Sequence, residues 1–191
     1  MKFVGTALTV GILVAMVALL ISPASASAAE EFGFVGVKKC KMCHKKASGG
    51  NQYGKWLETA HAKAFETLAT EEAAAEAKAL GIADARTAPE CLKCHATAFP
   101  VMDKLETEKI TLEEGVSCES CHGPGKGYYK KKVMAGITDG TVEAASVGLL
   151  APDEAVCTKC HTAEGNSFYQ EFKYEERVKE VAHPIPEVVA E

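Results

Sequence analysis

Cysteine occurs eight times in the 191 residues, and every copy belongs to one five-residue pattern: Cys40-Lys-Met-Cys43-His44, Cys91-Leu-Lys-Cys94-His95, Cys118-Glu-Ser-Cys121-His122 and Cys157-Thr-Lys-Cys160-His161. Two thiols separated by two residues reach the two vinyl groups of one porphyrin. The residue that follows sets an imidazole under the iron, so each copy reads as a covalent haem c attachment site. Two other chemistries use paired cysteines. Four-thiolate zinc sites need no histidine directly after the second cysteine, and a disulfide framework leaves the four histidines without a role. With only six histidines in the chain, their recurrence at this one position selects haem. The expected cofactor complement is four covalently attached haem c groups.

Six-coordinate irons need two axial ligands each, so four haems call for eight, and the motif histidines supply four. His61 and His183 are the remaining histidines. His61 shares an apolar stripe with Leu57, Ala64, Phe65 and Leu68, at helical offsets. His183 stands directly before Pro184. Both are expected to be distal ligands. Two sixth positions then have no histidine to fill them. Of the methionines outside the N-terminal segment and the motifs, Met134 follows the third motif and is the better placed substitute; simple packing is the alternative for it. At least one iron is expected to be five-coordinate or weakly ligated.

The elements that must position these groups are short. Residues 53–80 are rich in Ala, Glu, Lys and Leu, contain no proline and precede Gly81, which predicts one long helix. Pro89 and Pro100 bracket the second motif and place it on a short helical turn. The Gly123-Pro124-Gly125-Lys126-Gly127 run after the third motif predicts a tight turn lying close against a haem face. Residues 135–152 read as loop, and residues 168–182 as a helix ended by His183-Pro184. Motif starts lie 51, 27 and 39 residues apart, which is no tandem repeat and fits one interlocked cluster. The expected fold is mainly α, with short helices and loops wrapped around a packed four-haem core and little or no β structure.

Lys2 precedes a run without charge over residues 3–21, followed by small residues in which Ala24-Ser25-Ala26 and Ala26-Ser27-Ala28 fit the small-x-small cleavage rule. Residues 1–28 are expected to be an export signal, or a membrane anchor if it is not cleaved. Residues 29–191 then form one tetrahaem domain on the outer side of the cytoplasmic membrane, where haem is attached covalently. The formal net charge of −5 argues against nucleic acid as a partner. It suits salt-sensitive docking to redox proteins. Lysines nevertheless gather at residues 38, 39, 41, 45 and 46 around the first motif, and at 126 and 130–132 after the third.

Several of these stretches carry a resemblance. Lys38-Lys39-Cys40, His44, Trp56 and Thr59-Ala60-His61-Ala62-Lys63-Ala64 resemble the cytochrome c-554 family of periplasmic tetrahaem cytochromes. So do residues 115–125, from Gly115 through Cys118, Cys121 and His122 to Gly125, and Val178-Lys179-Glu180-Val181 shortly before His183. The resemblance implies a mainly helical fold, haems in closely packed pairs, mostly bis-histidine ligation and an electron-carrying role, the best-known member taking electrons from hydroxylamine oxidation. It implies that His61 and His183 are distal ligands, and that one haem is five-coordinate, here assigned to the second motif with His95 proximal. The family's distal histidine soon after the third motif is replaced here by Lys130, Lys131, Lys132, Val133 and Met134. The region between the fourth motif and His183 is shorter than in the family, so the physiological donor does not carry over.

The reading is an exported carrier of single electrons between a redox donor and acceptor, a monomer, meeting the membrane only if the N-terminal segment stays attached. Two alternatives remain at this level. One is reduction of a small nitrogen oxide such as nitric oxide at the five-coordinate haem, and the other is a subunit of a conducting filament in which a distal histidine ligates the next chain's haem.

Overall fold

The longest helix in the computed structural model, which describes residues 32–105 and 109–185, has nine residues. The α-helices are α1 (Val37–His44), α2 (Gln52–Leu57), α3 (Glu71–Ala79), α4 (Pro89–His95), α5 (Cys118–His122), α6 (Lys131–Thr138), α7 (Glu154–Cys157) and α8 (Tyr174–Val181), joined by 3₁₀ turns and loops. No strand occurs among the described residues, and none of their helices is long and apolar enough to cross a membrane. The expected segment 1–28 lies outside the described residues.

One expectation fails over residues 53–80. In place of a single helix, the chain forms α2, two 3₁₀ turns (Ala60–Lys63 and Glu66–Ala69) and α3. Threonine is the cause: a short β-branched side chain with a hydroxyl competes for the backbone bonds that a helix needs. Thr59 is extended and its hydroxyl donates to the Trp56 carbonyl at 2.7 Å. Thr67 donates to Ala64. Thr70 is extended as well, and its Oγ1 accepts from the Ala73 N–H at 3.2 Å, which caps α3. His61 therefore sits on a 3₁₀ turn, and Leu57 is exposed.

Two other boundaries move. Residues 168–182 are helical only over Tyr174–Val181. Residues 135–138 are not loop but the end of α6, so Met134 lies on a helix, half-buried. The second motif occupies a short helix with Pro89 at its start, as expected.

The buried side chains do not form an ordinary core. Two small clusters stand out, Leu68, Ala77, Ala85, Leu92 and Ala96 beneath the second motif, and Phe34, Ala98 and Ile110 beside it. The glycine run after the third motif closes on protein: a Cβ on Gly127 would stand 2.9 Å from the Phe32 ring, and one on Gly148 (φ 80°), outside the run, 2.6 Å from the same ring. Lys126 N–H donates to the Gly33 carbonyl. The run thus seats the segment leading into α1.

Candidate haem-binding site

Helices α1, α4 and α5 each end on the histidine of their motif, His44, His95 and His122. The fourth motif begins at the end of α7, and its His161 closes the following turn through an N–H bond to the Cys157 carbonyl.

The imidazoles are oriented. His95 Nδ1 lies 2.7 Å from the Ala64 carbonyl and 3.3 Å from Thr67 Oγ1, and His122 Nδ1 lies 3.2 Å from the Leu150 carbonyl. A carbonyl only accepts, so in both rings Nδ1 carries the hydrogen and Nε2 presents its lone pair. His44 Nδ1 faces Gln52 Oε1 at 3.2 Å in the same sense. His161 instead stacks on Phe172, with centroids 4.5 Å apart and planes 16° from parallel. Burial lowers the pKa of His61, His122 and His161, which favours the neutral form that binds iron.

Both histidines outside the motifs face a motif histidine. The rings of His61 and His161 have centroids 6.0 Å apart, and those of His122 and His183 5.8 Å apart. Two metal–nitrogen bonds of about 2 Å each, with half an imidazole on either side, come to about 6 Å, so each gap has the width of one iron. Interplanar angles of 57° and 43° are compatible, because rings on opposite faces of a porphyrin rotate independently about their shared axis. His183 Nδ1 is buried without a hydrogen-bond partner. His44 and His95 have no such partner ring among the histidines.

The thiols meet across motifs. Cys40 and Cys118 interact as side-chain neighbours; that interaction first, and burial second, push the Cys40 thiol up and make it the member that keeps its proton. Burial, together with Cys94, pushes Cys160 up to about 12. First and third motifs are thus neighbours, as are second and fourth. No two of the eight cysteines are joined as a disulfide, and no three of His, Cys, Asp and Glu among the described residues converge as they must around a bare ion. The donor set fits haem and does not fit zinc or disulfides.

Three joints between motifs were not foreseen. Thr97, two residues after His95, bonds through its N–H and hydroxyl to the Gly115 carbonyl and accepts from Ser117 N–H at 2.7 Å, tying the second motif to the third. Glu119, inside the third motif, accepts backbone N–H groups of Val35, Gly36 and Gly125. Gln52 reaches both His44 and the Pro184 carbonyl. A hydroxyl or carboxylate next to a motif was the only available signal, and nothing in the spacing says which backbone it meets. The His61 turn is anchored by its carbonyl, which accepts from Val116 N–H at 3.0 Å. Gly115 (φ 62°) permits this, since a Cβ there would lie 2.7 Å from the same oxygen.

A helical chain that repeats the Cys-x-x-Cys-His turn and sets two of its motif imidazoles across iron-wide gaps from the two remaining histidines is a multihaem c-type cytochrome of electron transport. Residues 39–123, which span the first three motifs, match the family described as cytochrome c554 and c-prime. The chain is 32% identical, over 86% of its length and 80% of the relative's, to cytochrome c-554 of Nitrosomonas europaea (strain ATCC 19718). It also matches the solved structure of reduced cytochrome c554 from Nitrosomonas europaea, with a TM-score of 0.50 and 30% identity over 78% of each chain. The chain belongs to the cytochrome c-554 family and is an electron carrier that uses haem c.

Proposed function

We propose that this chain is an exported, monomeric tetrahaem cytochrome that passes single electrons between a donor and an acceptor protein, with one haem c on each Cys-x-x-Cys-His turn. The observation that carries this reading is the pair of iron-wide gaps, His61 to His161 and His122 to His183. When bound, haem c supplies a one-electron iron couple. The thiol pairs Cys40 and Cys43, Cys91 and Cys94, Cys118 and Cys121, and Cys157 and Cys160 hold the four groups, and the following histidines bind the irons. His61 completes the fourth-motif iron and His183 the third. His44 and His95 bind the remaining two, and Met134 is a candidate sixth ligand.

The carbonyls of Ala64 and Leu150 and the Gln52 amide hold Nδ1–H, which fixes each ring and raises its basicity toward iron. Both non-motif histidines are directed inward, which supports a monomer over a filament that lends a histidine to its neighbour. The net charge of −5 favours protein partners over nucleic acid. His95 without an opposing ring supports a second reading, in which a small nitrogen oxide binds at the second motif.

Low-temperature electron paramagnetic resonance of the oxidised protein tests the assignment. His61→Ala and His183→Ala are each expected to convert one low-spin signal to high-spin, at different sites, and high-spin signal at the second motif is expected to disappear on adding cyanide. Spectra of both variants identical to wild type would sink the assignment of these two ligands.

A further inference from the structure

The segment entering the first motif is held by carboxylates from the third. Val35 N–H donates to Glu119 Oε1 at 3.0 Å, Gly36 N–H to Glu119 Oε2 at 2.8 Å, and Gly125 N–H to Glu119 Oε1 at 2.5 Å. The next N–H, that of Val37, donates to Glu114 Oε2 at 2.8 Å. Helix α1 starts at Val37 and has no side-chain cap of its own at Gly36. The Gly36 and Val37 N–H groups at its start are therefore capped by Glu119 and Glu114, 83 and 77 positions away. Glu119 is 3% exposed. Both its oxygens accept from backbone donors, the pattern of an ionised carboxylate. Its charge is felt at Cys40, Cys118 and Tyr128, on both sides of the joint.

We propose that Glu119 is a positioning residue for electron exchange between the first and third motifs: its carboxylate clasps the start of α1 to α5 and places a buried negative charge between the two attachment sites. This rests on the reading that both motifs carry haem. A fixed negative charge in a poorly screened interior stabilises the oxidised iron over the reduced one, so Glu119 lowers the potentials of these two haems relative to the others. The clasp also fixes how closely the two groups approach, because α1 and α5, which carry Cys40 and Cys118, are in contact.

Potentiometric titration and Soret circular dichroism of the holoprotein test this, with Glu119→Gln and Glu119→Asp compared. E119Q removes the charge and sets an amide N–H₂ against a backbone donor. The expected result is an upward shift of two of the four midpoint potentials and a weaker haem–haem couplet in the Soret band. E119D keeps the charge and is expected to restore the potentials while unfolding at lower denaturant. Potentials unchanged in E119Q, or moved equally by both variants, would overturn the proposal. Should E119Q not accumulate with haem, Glu114→Gln at pH 8 removes the neighbouring charge and leaves Glu119's bonds intact. It must raise the same two potentials by less, and no shift there is equally fatal. A wild-type protein whose intact mass lacks the four adducts would bring down the functional reading before any variant is compared.

Discussion

Thr97 shows how much one hydroxyl holds. It donates to the Gly115 carbonyl at 3.0 Å, lies 2.6 Å from Ser120 Oγ and accepts from Ser117 N–H, all in a buried position at the entrance to α5. Thr97→Val keeps the shape and removes every one of these bonds, leaving the Ser117 N–H buried and unpaired. A loss of about 1–3 kcal/mol is expected, read as a lower urea midpoint of the holoprotein at unchanged haem content. The cysteines and motif histidines were legible in the sequence because their chemistry demands contiguity. His61 and His183, whose rings face motif rings, stood out in the sequence because no other histidine remained. Thr97, Glu119 and Gln52 were not, because their partners are backbone groups with no residue signature. Glu119 meets Val35 across 84 positions, and no local pattern encodes that encounter.

Among the elements, α7 is the most exposed to disruption. It has four residues, and its N-terminus depends on Asp153, whose Oδ1 accepts from Val156 N–H at 3.1 Å. A helix of one turn cannot nucleate on its own bonds, so Asp153→Ala is expected to cost about 1 kcal/mol. The loss should appear as faster amide hydrogen exchange over residues 154–161, with other motifs unaffected. Helix class was readable from composition, but helix length was not. The Ala- and Glu-rich pattern over residues 53–80 was taken at face value, yet Thr59 and Thr70 turn out to be extended, at ψ 158° and 162°. The same capping chemistry that starts α3 ends its predecessor, a signal present in the sequence and outweighed there by propensity. Met134 was placed in a loop because glycines follow it; α6 nevertheless runs through Gly136, which is buried and would bring a Cβ to 2.7 Å from Val142.

At the scale of the whole molecule, the described residues hold only two large side chains that are fully buried, Leu92 and Ile110, and five of the buried hydrophobics are alanines. So little apolar area does not offset the conformational entropy of more than 150 ordered residues, at about 1–2 kcal/mol each for the backbone. Protein made without haem attachment is therefore expected to show no cooperative thermal transition and little near-ultraviolet circular dichroism, whereas the holoprotein shows both. The all-helical class, the interlocked motifs and the absence of an ordinary core were all foreseeable from the crowding of four Cys-x-x-Cys-His motifs into this length. The pairing of first with third motif, and second with fourth, was not, because equal motifs carry no address.

The Gln52 side chain joins the earliest part of this molecule to the latest. One end faces His44, and the other grips the Pro184 carbonyl beside His183. His183 leaves the ribosome about sixty residues after the turn it faces. The His122–His183 ring pair therefore closes only when the later part of the chain folds back beside the first motif.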